Sequence, residues 1–249
     1  TQFHRMLQLP EDVKGKYDVS SMRWAIHAAA PCPIDVKRKM LDWWGPVIWE
    51  YYAATEGGGT TATPEEWERF PGTVGKPWEI AELKITDDDG NVLPPGEPGT
   101  VWMRMGSQDF EYKGDKAKTD ANHDAEGFFT VGDVGYLNEE GYLFLCDRKS
   151  DMIIAGGVNI YPAEIERVLH DHPCFAEAAV IGRPDPKWQE VPVAFVVKRK
   201  DCSIDAETLI AHARANLARF KVPHEIIFTE TLPRNAMGKV QHFLLKERV

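Results

Sequence analysis

Residues 1–70 combine apolar strand-like runs with one amphipathic segment. Within residues 34–44, apolar side chains recur at helical spacing, which predicts a helix with one face in a protein core. The apolar positions are Val36, Met40, Trp43 and Trp44. Short apolar runs at residues 21–26 and 47–49 predict flanking strands. A strand, a helix and a strand in this order indicate the end of a layered α/β domain.

Residues 71–147 show a different pattern, with short runs in which polar and apolar side chains alternate. Residues 82–86 and 100–104 are two such runs, and the segment between them is rich in Gly, Pro and Asp. A second pair of runs is separated by residues 138–141, with the sequence NEEG. Short strands with frequent turns predict a small β-barrel-like or sandwich subdomain.

Residues 152–249 alternate between helical and strand patterns. Apolar spacing predicts helices at residues 163–170 and 205–218, and Asp205 is suited to cap the second. Strands are predicted at residues 177–181, 191–197 and 226–228. Helices packed on a small sheet predict a compact α+β domain.

A charged joint precedes that domain, within residues 147–166, which read DRKSDMIIAGGVNIYPAEIE. Two short apolar runs around Gly156 and Gly157 predict a hairpin. Pro162, followed by acidic residues, predicts a helix start. The chain is therefore predicted to comprise residues 1–70, residues 71–147, a hinge at residues 148–151 and residues 152–249.

The composition is that of a globular protein, with 249 residues, 43% hydrophobic and 27% charged. A formal net charge of −10 argues against a nucleic-acid-binding surface, because phosphate affinity requires clustered Lys and Arg. Four cysteines lie far apart without CxxC spacing, which predicts neither a disulfide framework nor a zinc site and fits a reducing cytoplasm. No apolar run approaches the roughly 18 residues of a membrane span. The chain begins at Thr1 rather than Met, which suggests a fragment or a processed product.

A candidate site lies at residues 51–59, YYAATEGGG, which follow a predicted strand. Ligands of open α/β sheets bind beyond the carboxyl ends of the strands, so the position suits a binding site. The glycines lack the GxxxxGK[ST] spacing of a phosphate loop. A flexible turn is the better interpretation of residues 57–59.

Four motifs occur in order along the chain: YAATE at residues 52–56, TVGD at 130–133, the segment 148–166, and PRNAMGK at 233–239. Together they resemble the adenylate-forming superfamily, which comprises acyl-CoA synthetases, peptide-synthetase adenylation domains and luciferases. The order of the four motifs is far more specific than any one of them. The sequence MIIAGGVNIYPAEIE is most similar to acyl-CoA synthetases that act on fatty or aromatic acids.

The resemblance implies a nucleotide site. Tyr52 would stack on adenine, Thr55 would bond a phosphate, and Glu56 would hold Mg²⁺, which takes one or two carboxylates when it is bound to a nucleotide. Asp133 would accept hydrogen bonds from both ribose hydroxyls, and Arg148 would meet the ribose or a phosphate. On its motif alone, Glu56 fits an exposed turn carboxylate without a ligand as well as it fits a magnesium ligand. For Asp133 the alternative is an ordinary turn residue after Gly. Its combination with Arg148 favours the interpretation as a ligand-binding residue.

The resemblance also implies roles for the C-terminal domain. Lys239 would stabilise negative charge on the α-phosphate and the attacking carboxylate. A lone Gly-Lys pair is weak evidence, and the longer context of residues 233–239 favours the assignment. Gly156 and Gly157 would let the backbone approach the pantetheine channel of CoA, because glycine has no Cβ. Ser150 occupies the pivot about which the small domain of the family rotates.

Three positions depart from the family's motifs. Ala53 replaces Gly, Val131 lies between Thr130 and Gly132, and Ser150 stands where Asp or Lys is usual. The departure at Ser150 puts the control of rotation in doubt.

The family's phosphate loop, which is rich in Ser, Thr and Gly and ends in Pro-Lys-Gly, does not occur in the chain. The resemblance therefore implies the C-terminal half of an ATP-dependent acyl-CoA ligase that uses Mg²⁺, ATP, CoA and a carboxylic acid, with weak or no activity alone. The implied fold is α/β and α+β multidomain: a remnant of a layered α/β large domain, a β-barrel-like subdomain, and a small mobile α+β C-terminal domain.

Two alternatives remain: an enzyme that loads an acyl group onto a carrier protein, and a non-catalytic nucleotide-binding remnant. The remnant is disfavoured because Glu56, Asp133, Arg148 and Lys239 are all intact. The sequence does not identify the acid. Trp188 fits either a contact with CoA or a core position.

Overall fold

The computed structural model describes residues 2–30, 32–106, 110–200, 202–236 and 238–249. The chain forms two compact units, the N-terminal unit Thr1–Leu145 and the C-terminal unit Cys146–Val249. The finer division of the first unit into residues 1–70 and 71–147 stays a prediction.

The N-terminal unit contains five helices and eight strands among the described residues. The helices are α1 (Gln2–Leu7), α2 (Glu11–Lys14), α3 (Ile34–Trp44), α4 (Pro64–Arg69) and α5 (Lys116–Ala121). The strands are β1 (Ala25–His27), β2 (Ile48–Ala53), β3 (Gly59–Ala62), β4 (Lys76–Pro77), β5 (Ala81–Thr86), β6 (Gly99–Met105), β7 (Asp133–Leu137) and β8 (Leu143–Arg148), whose last residues belong to the second unit.

Helix α3 has the bounds that its apolar spacing predicts. Val36 and Met40 are buried, and they pack in one core with Ile48 of β2 and Trp67 of α4. The polar residue Lys37 is also fully buried, and its Nζ donates to Glu50 Oε2 at 2.7 Å. The pairing explains how this helix carries a charged residue on its inner face, because buried charges need a partner.

The first sheet has the strand order β1-β2-β3-β4. β1 and β2 are parallel, and β3 and β4 join antiparallel. The strand predicted at residues 21–26 is shorter and begins later, because β1 spans only Ala25–His27. Helix α4, which the hydrophobic pattern did not predict, begins with a capping box in which Thr63 and Glu66 exchange hydrogen bonds, and Pro64 is its first residue.

The second sheet is a meander of order β5-β6-β7-β8, with antiparallel pairing of β5 to β6 and of β6 to β7. Its core is formed by Ile85, Val101, Met103 and Leu143, all nearly or fully buried. The short strands predicted in residues 71–147 form this sheet, and the sheet needs no closure into a barrel.

The C-terminal unit packs helices against one five-stranded sheet. The strands are β9 (Ile153–Ala155), β10 (Val158–Ile160), β11 (Phe175–Asp185), β12 (Gln189–Lys198) and β13 (Glu225–Phe228). The helices are α6 (Pro162–His170), α7 (Ala206–Asn216), a 3₁₀ turn (Arg219–Lys221) and α8 (His242–Lys246). The sheet order is β10-β9-β12-β11, and β13 pairs parallel with β12.

The apolar faces of α6 and α7 form the main core of this unit, which confirms the predicted α+β arrangement. Asp205 caps α7 by accepting the N–H of Thr208 at 2.8 Å, as predicted. The strands predicted at residues 177–181 and 191–197 are both longer in the structure, because the ladder of β11 and β12 continues to the pair Asp185 and Gln189. Among the described residues the longest helices have 11 residues, and none has the length and apolar character needed to cross a bilayer.

The expectation that the cysteines form no disulfide is wrong for one pair. Cys174 and Cys202 are bonded, with their Cα atoms 5.3 Å apart, whereas Cys32 and Cys146 are free. Their separation of 28 residues hides the proximity in the sequence. The antiparallel pairing of β11 with β12 brings the two residues together, because each lies just beyond the same end of that ladder.

We predict that Cys202→Ser lowers the free energy of unfolding of the C-terminal unit by about 3 kcal/mol, because the bond closes a loop of moderate length in the unfolded chain. Denaturant titration measures the change. Dithiothreitol should lower the stability of the wild-type protein to that of the variant and leave the variant unchanged. Equal stability of the oxidised wild type and the variant would contradict the prediction.

Candidate active site

The hairpin of β2 and β3 carries three of the predicted site residues. Tyr52 lies near the end of β2 and pairs with Thr60 of β3. Thr55 and Glu56 lie in the turn that follows, where Thr55 is exposed and Glu56 is partly buried. The first half of β2 enters the core through Ile48, so the strand fixes the base of a turn that presents polar side chains.

Close backbone approach requires glycine at the start of β3. A Cβ added to Gly59 would lie 2.6 Å from the carbonyl oxygen of Tyr52, so no other residue fits without displacement. The interpretation of residues 57–59 as a flexible turn is therefore wrong for Gly59, which belongs to the ladder. Gly57 and Gly58 do lie in the turn, with φ of 126° and 73°.

Tyr52 contacts a second predicted site residue, Asp133. The phenolic hydroxyl of Tyr52 donates to Asp133 Oδ2 at 2.6 Å. Asp133 is the first residue of β7, and the preceding Gly132 has φ of 81°, with its N–H donated to Thr130 Oγ1 at 3.1 Å. The fold thus joins two motifs that lie 81 residues apart in the sequence.

Glu56 has a partner that no motif indicated. The hydroxyl of Tyr112 donates to Glu56 Oε1 at 2.8 Å. Desolvation of the Tyr112 ring and its hydrogen bond to Glu56 raise the pKa of Tyr112 to about 12, so the hydroxyl is a donor at neutral pH. Glu56 Oε2 can still accept a ligand, and a carboxylate oxygen is the donor type that Mg²⁺ prefers. The residues present therefore fit a magnesium ion.

In the C-terminal unit, Arg148 ends β8 and its side chain is exposed. The chain then turns through Lys149, Ser150 and Asp151, and the N–H of Asp151 donates to the carbonyl of Arg148 at 3.0 Å. Ser150, the predicted pivot, is exposed in this turn.

Three carboxylates and one imidazole surround the predicted hinge. Asp147 Oδ2 accepts the N–H of Ala163 at 2.9 Å, which ties the end of β8 to the first turn of α6. Asp151 Oδ2 lies 3.4 Å from His242 Nδ1, at the start of α8. Glu166 Oε1 accepts the N–H of Val180 at 2.8 Å. Helices α6 and α8 are therefore both linked to the hinge segment by charged side chains.

The environment shifts the pKa of each of these groups. The close contact with His242 lowers the pKa of Asp151, and the same contact raises the pKa of His242. Burial raises the pKa of Asp147. Glu166 is partly exposed as a residue, but desolvation of its carboxyl raises the pKa to about 7.

The hairpin of β9 and β10 forms as predicted, with Gly156 and Gly157 at φ of 59° and 84°. The N–H of Gly156 donates to the carbonyl of Trp188 at 2.7 Å. A Cβ on Gly156 would lie 3.0 Å from Trp188 Cε3. Trp188 is 44% exposed, so it is no core aromatic, and its ring lies directly against the glycine turn.

Lys239 lies on a tight loop whose conformation is set by two neighbours. The side chain of Asn235 accepts the N–H of Lys239 at 3.0 Å, and the N–H of Asn235 donates to the carbonyl of Lys239 at 2.9 Å. Arg234 Nη1 donates to the carbonyl of Gly238 at 2.7 Å. Lys239 itself is exposed, while Met237 of the same motif lies outside the described residues.

The predicted site residues thus fall into two groups. The N-terminal unit joins Tyr52 to Asp133, and it carries Thr55 and Glu56 in the turn that follows Tyr52. The C-terminal unit carries the remainder: Arg148, Ser150, Gly156, Gly157 and Lys239. The ligands assigned to these residues remain predictions.

Two residues that contact predicted site segments were missed. Tyr112 precedes α5, a six-residue helix that is too polar to show apolar periodicity. The only local signal of this helix is its N-cap residue, Asp115. His242 lies three residues beyond Lys239, and its spacing carries no signal of a contact with Asp151.

An α/β unit followed by a smaller α+β unit, with these motifs in this order, defines the architecture of adenylate-forming enzymes. A family model described as AMP-binding enzyme matches residues 1–108, and one described as AMP-binding enzyme C-terminal domain matches residues 164–239. The chain belongs to the AMP-binding enzyme family.

Relatives of known activity support this membership. The chain is 43% identical over 188 residues to 2-succinylbenzoate–CoA ligase of Listeria monocytogenes, covering 76% of this chain and 38% of that protein. It is 36% identical over 226 residues to long-chain-fatty-acid–CoA ligase of Bacillus subtilis, covering 90% of this chain and 40% of that protein.

The fold also matches a solved structure. O-succinylbenzoate coenzyme A synthetase of Bacillus subtilis, in complex with ATP and magnesium ion, superposes with a TM-score of 0.81 at 31% identity, over 95% of this chain and 50% of that one. The chain therefore spans half or less of the length of these three proteins.

We predict that the C-terminal unit loses stability as the pH rises from about 5 to 8. The pKa values of Glu166 and His242 are both raised in the folded state. Such a group stabilises the folded state fully below its unfolded pKa, and this contribution is lost as the pH rises through its folded pKa. Asp151, with its lowered pKa, acts only at lower pH, and burial lowers the pKa of His172, which offsets part of the loss.

Thermal denaturation followed across this pH range measures the effect. Glu166→Gln removes one of the two titrating groups and should flatten the profile. Glu164→Gln on the same helix is the matched control, because Glu164 pairs instead with Lys221. An identical pH profile for Glu166→Gln and the wild type would refute the assignment.

Proposed function

We propose that the chain is the C-terminal part of an AMP-forming acyl-CoA ligase. The observation that carries this proposal is the hydrogen bond of Tyr52 to Asp133, with Glu56 on the same hairpin. An aromatic ring bonded to a carboxylate, with a second carboxylate in the next turn of the chain, supports a site that binds the adenine, the ribose and the metal of a nucleotide. The named CoA ligases among the relatives support it.

In the first step, the chain would bind and orient Mg-ATP. The ring of Tyr52 stacks on adenine, and the carboxylate of Asp133 accepts hydrogen bonds from the ribose hydroxyls. Thr55 donates to a phosphate oxygen, and Arg148 adds a positive charge at the ribose or phosphate. A magnesium ion held by Glu56 would neutralise phosphate charge.

The substrate carboxylate attacks the α-phosphorus, and the bond to pyrophosphate breaks, which gives an acyl-adenylate and pyrophosphate. Negative charge builds on the α-phosphate oxygens during this attack. Lys239, on its loop fixed by Arg234 and Asn235, would stabilise that charge electrostatically.

In the second step, the CoA thiol attacks the acyl carbonyl and AMP leaves with the bonding electron pair, while the thiol proton is released. The Gly156 and Gly157 turn would line the approach of the pantetheine, because its backbone carries no side chains. We propose that the C-terminal unit turns about residues 148–151 between the two steps, with Ser150 at the pivot.

A CoA acceptor is favoured over a carrier protein, because the relatives include two kinds of CoA ligase. Their names include an aromatic acid and long-chain fatty acids, so we assign the substrate only to the class of organic carboxylic acids. A comparison of free CoA with a carrier protein as acceptor separates the two alternatives.

The N-terminal unit has a face that we propose is covered by an upstream half like that of the relatives. β1 and β2 are parallel, and parallel strands are normally covered on both faces. On one face Trp24, Ile26 and Tyr51 are 67%, 54% and 42% exposed. The ring of Trp24 contacts that of Trp49, which extends this apolar surface.

We predict that residues 1–249 alone show little or no ATP–pyrophosphate exchange with any carboxylic acid, because the chain lacks the motif of the triphosphate-binding loop. Exchange with radiolabelled pyrophosphate measures adenylation directly. The same chain joined to an upstream half should exchange, and Lys239→Ala should then reduce the rate. Robust exchange by residues 1–249 alone would contradict the proposed division of the site.

A further inference from the structure

We infer that Tyr112 is a positioning residue for the Glu56 carboxylate, which it holds in the orientation that binds the metal of Mg-ATP. The inference rests on the proposed function, because it takes Glu56 as the metal ligand. It adds a residue outside all four motifs to the nucleotide site.

The contact divides the two oxygens of Glu56 between two tasks. The Tyr112 hydroxyl donates to Oε1 at 2.8 Å, so Oε2 is the oxygen left to coordinate an ion. Mg²⁺ demands nearly ideal octahedral geometry and keeps several waters, which suits a carboxylate bound through one oxygen. Hydrogen bonds to ligating carboxylates orient them, and their loss typically costs about 10–100-fold in metal affinity.

Tyr112 is itself held by a local framework. Its N–H donates to Thr119 Oγ1 at 2.9 Å, and its carbonyl accepts the N–H of Asp115 at 3.0 Å. Asp115 also caps α5 by accepting the N–H of Lys118. The backbone of Tyr112 is thereby fixed to the first turns of α5.

The ring of Tyr112 is held as well. The ring of Phe110 packs edge-on against it, with centroids 5.3 Å apart, and Lys118 Nζ lies 4.2 Å from its centroid. A ring fixed on two sides can direct its hydroxyl to one oxygen of Glu56. These contacts distinguish Tyr112 from a surface tyrosine that meets a carboxylate by chance.

The distinguishing property is a dependence on metal. A purely structural tyrosine would change nucleotide binding equally with and without Mg²⁺, whereas a positioning residue acts only on the metal-bound complex. The test therefore measures ATP affinity of the 249-residue chain in excess Mg²⁺ and in EDTA, by NMR titration, which follows weak binding and reports the fold of each variant.

Tyr112→Phe should lower ATP affinity in Mg²⁺ by about tenfold or more and leave the affinity in EDTA unchanged. Thr119→Val keeps the Tyr112 hydroxyl but removes the Thr119 hydroxyl that accepts the N–H of Tyr112, and it should cause a smaller loss of the same kind. Tyr142→Phe is the matched control, since the Tyr142 hydroxyl donates to Glu66 at 3.1 Å in the same unit, and it should behave as the wild type.

Glu56→Gln separates this inference from the proposed function. If Glu56→Gln weakens Mg-ATP binding and Tyr112→Phe does not, the inference is overturned and the proposed function stands. If neither variant alters Mg-ATP binding, Glu56 is not the metal ligand and both claims about it fail. Absence of ATP binding by the wild-type chain would overturn the nucleotide site and the inference together.

Discussion

The hydrogen bond between Tyr52 and Asp133 is the contact on which the candidate nucleotide site depends. It connects β2 of the first sheet to β7 of the second, so the two sheets of the N-terminal unit present their polar ends to one place. Each residue is placed by its own sheet: Tyr52 through the buried start of β2, and Asp133 through the turn at Gly132. A change in the packing of either sheet would therefore alter the geometry of the site.

The C-terminal unit presents the exposed side chain of Lys239 and the turn of Gly156 and Gly157 from one compact core. Charged groups form its attachment points: Asp147 accepts from the start of α6, and Asp151 pairs with His242 at the start of α8. These contacts lie on both sides of Ser150 in the sequence, and Ser150 itself is exposed.

Much of this fold follows from sequence pattern, and the exceptions have physical causes. α3 was predicted with its bounds because 11 residues show full helical periodicity, and the family was recognised from four short motifs. α4 was missed although Thr63 and Glu66 carry a capping signal, since six residues give little periodicity. The bond of Cys174 to Cys202 and the contact of Tyr112 with Glu56 depend on tertiary structure, which local pattern does not encode.

The central claim is that the N-terminal unit binds an adenosine nucleotide through Tyr52 and Asp133. Titration of the chain with AMP, followed by NMR, tests this claim most directly. We expect contacts between the Tyr52 ring and adenine, and a loss of about tenfold or more in AMP affinity for Asp133→Asn, since hydrogen bonds to a charged group contribute about 1.5–3 kcal/mol. Absence of AMP binding, or equal AMP affinity of the variant and the wild type, would contradict the account.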